Sequence, residues 1–482
     1  MTARRARRMP RLQIESVRHV HIIGICGTAM GTLGAMLVER GYEVSGSDAM
    51  AYPPMSDWLA ARGMRVLSGY DATHLPEVCD LVVVGNVARR DNPESVAAHE
   101  RGIPCLSLPE VLRAVFLSGR RALVVTGTHG KTTTTAWTTQ LLDAAGRDPS
   151  MFVGGVTVKY DSSFRLGTGP EFVVEGDEYD TAWFDKVPKF WHYPAFSATI
   201  NNIEFDHGDI YADIREIEHV FQQFANSVDP RGTLWINGDD ERCIRVSQDC
   251  WATVKTFGLG STNDVRAVVL GTNEAGTRIE VFQNSESLGE CQLPTIGAHN
   301  VRNFLGAACL ATTAGVPLTA SMAHAAAFQG VRKRQELVGE ADGVLVYDDF
   351  AHHPSAVRET LAALRARYPE RTIRAVFEAK SNTSRRRIFQ QEYVTAFDAA
   401  DEIVFSQPWK ADALDSTELL DLAQLVSDIQ ARGKKVSLIA SVDDIVEHLR
   451  RECGRGDVVA GLSGSSFGGL HRRALAALSE RG

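Results

Sequence analysis

A short glycine-rich segment between an apolar strand pattern and a helical pattern constrains this chain most strongly. It reads Thr126-Gly-Thr-His-Gly-Lys-Thr-Thr133 and follows the predicted strand Arg121–Thr126. Glycines let backbone N–H groups turn inward around a polyphosphate, and a helix N-terminus adds partial positive charge. Lys131 would reach the terminal phosphates, and the hydroxyl of Thr132 would bind Mg²⁺. The segment predicts nucleotide binding rather than a structural turn, although Val125 stands where the full phosphate-loop pattern has glycine.

Two acidic segments follow apolar strand patterns downstream of this loop. Glu175-Gly-Asp-Glu-Tyr-Asp180 follows the apolar run Phe172–Val174, and Asn201-Asn-Ile-Glu-Phe-Asp-His207 follows the run 198–200. The carboxyl ends of parallel strands present ligands at one edge of a sheet. Carboxylate oxygens suit Mg²⁺, and a neutral histidine completes the shell of a second ion. Each segment alone is typical of a solvated loop, but together they predict a metal-nucleotide site.

Short runs rich in Val and Ile alternate with helical patterns along most of the chain. This alternation is typical of βαβ units and parallel sheets, and 482 residues suggest about three domains. We expect an α/β protein with a Rossmann-like domain over residues 1–118, a central P-loop domain over 119–335 and a Rossmann-like domain over 336–482. A strand-rich insert near Val265–Leu293 belongs to the central domain.

Composition excludes several classes of function. The formal net charge of −9 argues against a general nucleic-acid binder, which needs a basic face. Eight cysteines without a C-x-x-C pair are typical of a reducing compartment, and no apolar run approaches the ~20 residues of a membrane span. Met1–Arg11 carries five arginines, which fits a transit peptide, an anionic-surface tether or a disordered tail. We expect a cytoplasmic protein.

A second glycine-rich turn, Gly24–Gly31, lies between the first predicted strand and helix. With Asp48 at the end of the second strand, it is a weak dinucleotide-binding fingerprint. Composition alone does not reject a nicotinamide cofactor.

Several motifs, in one order along the chain, resemble the Mur ligase family of ATP-dependent, amide-forming enzymes of peptidoglycan assembly. Gly127–Thr133 resembles the family's ATP loop, including the missing first glycine. Gly297-Ala-His-Asn-Val-Arg-Asn303 resembles its adenine-binding segment, and Asp349-Phe-Ala-His-His-Pro354 resembles its D-Y-x-H segment. The resemblance extends from about His21 to His471. It implies an N-terminal UDP-binding domain, a central P-loop ATPase-like domain and a C-terminal domain that holds the amine substrate.

The resemblance also implies functional residues. The implied catalytic residues are Lys131, Glu175, His207, Arg334, Asp349 and His352. The implied ATP-binding residues are Gly127, Thr128, His129, Gly130, Lys131, Thr132, Thr133, Asn300, Asn303, Arg334 and Asp349. The implied ligands of Mg²⁺ are Thr132, Glu175 and His207. The implied UDP-sugar contacts are Gly24, Cys26, Gly27, Thr28, Met30, Ser47, Asp48 and Asn86, so that Cys26 is a small residue beside phosphate rather than a nucleophile.

Four stretches resemble the branch of the family that attaches the tripeptide L-Ala-γ-D-Glu-meso-diaminopimelate to UDP-N-acetylmuramate during recycling. They are Gly24–Gly31, Asp180–Pro194, Ser381-Asn-Thr-Ser-Arg385 and Ser463–His471. The implied peptide contacts are Lys380, Asn382, Thr383 and Arg385. The resemblance implies small-molecule substrates and a monomer or weak homodimer.

Two departures from the family pattern fall in the expected peptide-binding domain. Lys380 stands where an arginine is expected, and Gly464-Ser-Ser466 stands where N-G-G is usual. Because arginine binds a carboxylate bidentately and lysine acts as a point charge, the peptide specificity is open to change. The segment between His207 and Arg231 has no lysine, so the carbamylated lysine of several relatives is not expected.

Three alternatives differ in reaction or class. The alanine-adding Mur ligases share the chemistry but take free L-alanine, and Asp180–Pro194 and Ser381–Arg385 argue against them. Folylpolyglutamate synthetase is a more distant relative, against which the N-terminal UDP-type domain argues. A nucleotide-dependent switch without synthesis is the third alternative, but no segment resembles GTPase switch loops.

Overall fold

The computed structural model describes residues 13–51, 55–381, 383–407 and 418–481. The Arg-rich start and Asn382 lie outside the described residues. The chain forms two compact units. The first comprises the described parts of residues 1–124, 148–154 and 163–196, and the second comprises those of residues 125–147, 155–162 and 197–482.

The N-terminal part contains a five-stranded parallel sheet, in the order β3-β2-β1-β4-β5. Its strands are β1 His19–Ile23, β2 Glu43–Asp48, β3 Arg65–Ser68, β4 Leu81–Val84 and β5 Cys105–Leu106. Its helices are α1 Thr28–Glu39, α2 Met55–Ala60, α3 Pro93–Glu100 and α4 Leu108–Val111. The central strands are almost wholly buried, as expected of a parallel sheet with both faces covered.

A ten-stranded sheet follows, in the order β15-β14-β13-β12-β11-β10-β6-β9-β7-β8. Its strands are β6 Arg121–Thr126, β7 Ser150–Thr157, β8 Ser162–Arg165, β9 Glu171–Glu175, β10 Ala195–Ile200, β11 Thr233–Asn237, β12 Thr253–Gly258, β13 Val265–Asn273, β14 Gly276–Gln283 and β15 Glu286–Leu293. The helices are α5 Lys131–Ala144, α6 Ile214–Ser227, α7 Glu241–Val246, α8 Ala298–Thr312 and α9 Leu318–His324. Strands β13 to β15 are antiparallel, and their inward residues join a core that includes Trp137 and Phe304.

The C-terminal part contains a six-stranded sheet, in the order β16-β17-β21-β18-β19-β20. Its strands are β16 Glu336–Ala341, β17 Val344–Asp349, β18 Ile373–Glu378, β19 Glu402–Ser406, β20 Lys435–Ile439 and β21 Val458–Ser463. Its helices are α10 Pro354–Arg367, α11 Gln390–Ala396, α12 Leu422–Ala431, α13 Val442–Glu452 and α14 Leu470–Ser479. Only the β16–β17 pair is antiparallel among the pairings recorded for this sheet's described strands.

Helices cover both faces of this last sheet. One hydrophobic core contains Phe377, Tyr393 and Phe405. A second core contains Val376 and Val404, which belong to the same strands as Phe377 and Phe405. Because successive strand residues point to opposite faces, neighbouring residues such as Val376 and Phe377 enter different cores. The predicted α/β class is confirmed. Among the described helices, none combines the length and the apolar character needed to cross a bilayer.

Candidate active site

The predicted phosphate loop connects the buried strand β6 to helix α5. Gly130 precedes the helix with φ +79°, a conformation that favours glycine, and a Cβ there would lie 2.2 Å from Asn303 Oδ1. Lys131 is the first residue of α5 and is 8% exposed. Its Nζ donates hydrogen bonds to the carbonyls of Gly127 (2.8 Å) and Thr128 (3.2 Å). The ammonium group is thereby held against the loop itself.

Asn202 fixes the shape of this loop. Its Oδ1 accepts a hydrogen bond from the N–H of His129 (2.8 Å), and its Nδ2 donates to the His129 carbonyl (3.1 Å). The Asn202 carbonyl also accepts from the N–H of Thr128 (3.0 Å). Asn202 belongs to a segment predicted to be acidic, but no role was predicted for this residue. An amide directly after a predicted strand was the available signal.

Arg334 reaches the start of the same helix. Its Nη2 donates to Thr132 Oγ1 (3.1 Å), and its guanidinium lies 4.7 Å from the ring centre of Phe350. Nearby, the Asp349 carboxylate accepts hydrogen bonds from the N–H groups of Gln335 (2.6 Å) and Ala351 (2.7 Å). Burial raises the pKa of Asp349, against the opposing charge of Arg334. The turn after β17 and the turn before β16 are therefore joined through one carboxylate.

The two asparagines predicted to contact adenine lie on α8. Asn300 Nδ2 donates to the Ile296 carbonyl and to Gln335 Oε1, both at 2.9 Å. Asn303 Nδ2 donates to Asn300 Oδ1 (3.1 Å), while Asn303 Oδ1 accepts from Thr134 Oγ1 (3.3 Å). The structure thus connects this helix to α5 and to the turn that carries Arg334. A contact between the two asparagines and a purine stays a prediction.

Two of the predicted Mg²⁺ ligands lie in the second unit and one in the first. Glu175 ends β9 and accepts a hydrogen bond from the N–H of Gly154 (2.6 Å). Thr132 lies in the first turn of α5, and His207 has a left-handed backbone with φ +54°. Hydroxyl and carboxylate oxygens are ligands that Mg²⁺ prefers, and a site formed by these three side chains stays a prediction.

Asp206 lies among the imidazoles that follow β10 and β17. Burial opposes its ionisation, but the charges of His207, His352 and His353 and a hydrogen bond from Thr383 Oγ1 (2.5 Å) together hold the pKa of the carboxyl well below its usual range. Thr383, a predicted peptide contact, is therefore occupied by Asp206 in this structure.

His352 hydrogen-bonds to the chain around it and interacts electrostatically with Asp206. Its Nδ1 lies 2.9 Å from the Phe350 carbonyl, and its own carbonyl accepts a hydrogen bond from the Tyr393 hydroxyl. Burial lowers the pKa of His352, so the imidazole is neutral near pH 7. A neutral imidazole is chemically able to accept a proton.

Glu204 joins three segments. Its Oε2 lies 3.6 Å from His129 Nε2 and 3.5 Å from His353 Nδ1, and it accepts a hydrogen bond from Ser355 Oγ. Burial opposes ionisation of Glu204, but the charges of His129 and His353 and the hydrogen bond from Ser355 together outweigh it, so the pKa falls to about 2. Burial lowers the pKa of His353 to about 4. Neither Glu204 nor His353 was singled out from the sequence.

The N-terminal glycine turn lies between β1 and α1, with Gly24 at φ +83°. The backbone N–H of Cys26 donates to Asp48 Oδ2 (3.0 Å). Burial and the charge of Asp48 raise the pKa of the Cys26 thiol, which disfavours a thiolate nucleophile. The Ser47 hydroxyl is buried and donates to Glu94 Oε2 (2.5 Å). Of the other predicted UDP-sugar residues, Gly27 is the N-cap of α1, Thr28 and Met30 lie in its first turn, and Asn86 is exposed.

The two departures from the family pattern meet at Glu378. Lys380 Nζ lies 3.9 Å from Glu378 Oε1, and Ser465 Oγ donates to Glu378 Oε2 (2.8 Å). The Ser463 hydroxyl donates to the same oxygen (2.5 Å). The nearby Arg385 is buried, and its Nε donates to the Ser381 carbonyl (3.3 Å). One carboxylate therefore connects the ends of β18 and β21 to the lysine that replaces the expected arginine.

The segment Asp180–Pro194 packs within the first unit. Asp185 accepts a hydrogen bond from Ser107 Oγ (2.5 Å) and lies 3.0 Å from His192 Nε2. Lys189 pairs with Asp177 (3.1 Å). The hydrogen bond from Ser107, the N-cap of α4, attaches the segment to the start of that helix.

Comparisons with known proteins agree on one family. Residues 19–119 match the model described as Mur ligase family, catalytic domain; residues 125–311 match the Mur ligase middle domain; residues 333–464 match the Mur ligase, glutamate ligase domain.

Individual relatives are similar over almost their whole length. The UDP-N-acetylmuramate–L-alanyl-γ-D-glutamyl-meso-2,6-diaminoheptandioate ligase of Escherichia coli is 36% identical, over 96% of this chain and 98% of that protein. The UDP-N-acetylmuramate–L-alanine ligase of Clostridium novyi is 32% identical, over 92% and 94%. The crystal structure of a murein peptide ligase from Psychrobacter arcticus is 31% identical, with a TM-score of 0.71, and covers 96% of this chain and 99% of that one.

Proposed function

The chain belongs to the Mur ligase family, and we propose that it joins the lactyl carboxylate of UDP-N-acetylmuramate to the amine of L-Ala-γ-D-Glu-meso-diaminopimelate in peptidoglycan recycling. It is an ATP-dependent, amide-forming ligase, as are the members of its family. The observation that supports a peptide as the acceptor is the 36% identity to a peptide-adding ligase over nearly the full length of both chains.

Charge dictates the course of this reaction. A carboxylate is a poor electrophile because its negative charge repels the amine and it has no good leaving group. Transfer of the γ-phosphoryl group from ATP to the carboxylate oxygen forms an acyl phosphate and ADP. The amine then attacks the carbonyl carbon, the C–O bond to phosphate breaks, and the amine loses a proton. The products are an amide, ADP and inorganic phosphate.

The residues of the second unit align the phosphates and neutralise their charge. Backbone N–H groups of the loop and the start of α5 bind phosphate oxygens. Lys131 exchanges its hydrogen bonds to the Gly127 and Thr128 carbonyls for phosphate oxygens. Arg334 adds a second cation beside Thr132, at 3.1 Å in this structure. We assign Asn300 and Asn303 to the adenine ring.

Mg²⁺ belongs to this proposal, with Thr132, Glu175 and His207 as its ligands. When bound, the ion offsets the negative charge that collects on the phosphate oxygens. The amine must be neutral to attack, and His352 is the candidate that takes up its proton, because its imidazole is half-buried and its pKa is lowered by burial. A contact with phosphate is the other role open to His352.

The acceptor peptide is assigned to the C-terminal part of the chain. Lys380, Asn382, Thr383 and Arg385 are the proposed contacts, and Asn382 lies outside the described residues. In the family pattern an arginine would grip a peptide carboxylate with two hydrogen bonds, whereas Lys380 offers one point charge beside Glu378. We therefore expect weaker discrimination at that carboxylate. The predicted UDP-sugar residues, Gly24 to Asn86, would bind the other substrate.

The alanine-adding ligase is the second candidate, supported by relatives at 32% identity.

A cytoplasmic location and a monomer or weak homodimer complete the proposal. The eight cysteines are all unpaired, as expected in a reducing compartment.

An oxygen-isotope experiment tests the acyl phosphate. UDP-N-acetylmuramate labelled with ¹⁸O in its lactyl carboxylate is incubated with ATP, Mg²⁺, tripeptide and the protein. The proposal predicts one ¹⁸O atom in the released phosphate. Label in AMP would contradict it, because that outcome requires activation by adenylyl transfer.

A further inference from the structure

Three side chains with metal-ligand chemistry converge in the second unit, outside the proposed Mg²⁺ ligands. His129 lies in the phosphate loop, Glu204 follows β10, and His353 precedes α10. One ring nitrogen of each histidine and one Glu204 carboxylate oxygen all lie within 4.8 Å of one another. The Glu204 oxygen lies 3.6 Å from His129 Nε2 and 3.5 Å from His353 Nδ1. Three segments distant in the chain thus present one ligand atom each.

Each of the two imidazoles has one ring nitrogen with a weak hydrogen bond or none among the described residues. His129 Nε2 is buried and has no hydrogen-bond partner among the described residues. His353 Nε2 lies 3.1 Å from the Phe205 carbonyl, which fixes the proton on Nε2 because a carbonyl only accepts. The lone pair of His353 is therefore on Nδ1, where a weak hydrogen bond from the Ser355 N–H (3.3 Å) meets it. That lone pair faces a carboxylate, and a cation between them would satisfy both.

We propose that His129, Glu204 and His353 bind one borderline divalent cation, with Zn²⁺ preferred. Zn–N and Zn–O bonds of about 2.0–2.2 Å at tetrahedral angles place neighbouring ligand atoms about 3.3–3.5 Å apart. The two measured separations, 3.5 and 3.6 Å, are close to that spacing. Two imidazoles and one carboxylate are a common Zn²⁺ ligand set that leaves a fourth position for water. Mg²⁺ prefers an all-oxygen shell and is disfavoured here.

The cation would connect the phosphate loop to the first turn of α10. The contacts already present between these segments are weak or indirect: His129 and His353 rings 4.8 Å apart, and the Ser355 hydroxyl on Glu204. A metal bond to each imidazole would replace them with direct links. Binding therefore stabilises the folded chain by linkage, and Zn²⁺ raises the melting temperature.

The test uses the full chain, treated with chelator and free of nucleotide. Zn²⁺ affinity is measured by competition with a chromophoric chelator, and Co²⁺ serves as a spectroscopic substitute. The proposal predicts one site per chain and tetrahedral Co²⁺ bands. His353→Ala and Glu204→Gln should each weaken Zn²⁺ binding at least about 10–100-fold, because even the loss of a residue that only hydrogen-bonds to a metal ligand has that effect. His219→Ala, an exposed histidine on α6, should bind as the unaltered chain does.

The variants' folding is checked by far-UV circular dichroism and by binding of an ATP analogue. Zn²⁺ should raise the melting temperature of the unaltered chain and of His219→Ala but not of His353→Ala. Absence of a Zn²⁺ site in the unaltered chain would overturn the proposal. The proposal would also be overturned if His353→Ala and Glu204→Gln fold and bind Zn²⁺ as tightly as the unaltered chain. Neither result bears on the ligase reaction, which is measured separately.

Discussion

Arg334 Nη2 donates a hydrogen bond to Thr132 Oγ1 over 3.1 Å, although the two residues are 202 positions apart. Thr132 lies in the first turn of α5, directly after the phosphate loop, and Arg334 lies in the turn before β16. The cation is further held over the ring of Phe350. This arrangement places a fixed positive charge at the helix end that would bind the terminal phosphates.

Replacing Arg334 by alanine should lower kcat for ADP release about 10²–10³-fold, because charge stabilisation at the transferring phosphate is lost. Arg332→Ala is the control: its side chain is half exposed and pairs with Glu336, so activity should stay near normal. Steady-state ADP release measures both variants. Activity of Arg334→Ala within threefold of the unaltered chain would contradict the assignment.

Gly130→Ala should abolish ATP binding. The new Cβ would meet Asn303 Oδ1 at 2.2 Å, and the left-handed backbone adds about 1–2 kcal/mol of strain. Gly146→Ala is the matched control, with φ +72° but nothing within 4 Å of the added Cβ. It should lose stability and keep ATP affinity, as measured by calorimetric titration. Equal ATP affinity in the two variants would show that the contact with Asn303 does not matter.

Glu175→Gln should raise the Mg²⁺ concentration needed for half-maximal ADP release and lower the maximal rate about 10²-fold. The neutral amide is a weaker ligand for a hard cation. Glu100→Gln, an exposed carboxylate at the end of α3, should behave as the unaltered chain. The rate of ADP release, measured over a range of Mg²⁺ concentrations, compares the two variants with the unaltered chain. An unchanged Mg²⁺ requirement in Glu175→Gln would remove this residue from the metal site.

His353 predicts a pH dependence of stability. Its pKa falls from 6.5 to about 4 on folding, so the unfolded chain binds the proton first as pH falls. Stability is therefore lost between pH 6.5 and 4, by about 2 kcal/mol from pH 7 to pH 5. Glu204 has a pKa lowered from 4.5 to about 2, so its contribution to stability is lost mainly below pH 4.5, under the range compared here.

His353→Asn should remove that part of the loss, because asparagine does not titrate. Urea unfolding at pH 7 and pH 5, with chelator present, compares the variant with the unaltered chain. The difference between the two pH values should be smaller in His353→Asn. If both chains lose the same stability, His353 is not buried in its neutral form.

The sequence predicted the strands whose patterns are continuous and apolar. The predicted strand Arg121–Thr126 begins and ends where expected, and the apolar runs Phe172–Val174 and 198–200 lie within β9 and β10. Strands with few apolar residues, such as β8 Ser162–Arg165, or with internal glycines, such as β7 Ser150–Thr157, gave no comparable signal. Their pairing in the sheet depends on distant strands rather than on local pattern.

The individual site residues were predictable because motifs are local, but their partners were not. Hydrogen bonds such as Asp206–Thr383 and Arg334–Thr132 join residues that no periodicity links. Glu204 and His353 each lay one to three positions from a singled-out histidine, His207 or His352. Their convergence with His129 depends on how three loops pack, which only the structure gives.

The choice of acceptor separates a peptide-adding ligase from an alanine-adding one. ADP release and product mass are measured with UDP-N-acetylmuramate, ATP and Mg²⁺, and with either L-Ala-γ-D-Glu-meso-diaminopimelate or free L-alanine. The proposed function predicts turnover with the tripeptide and a product joined through its alanyl amine, and no turnover with L-alanine. Turnover with L-alanine alone would contradict it and assign the chain to the alanine-adding ligases.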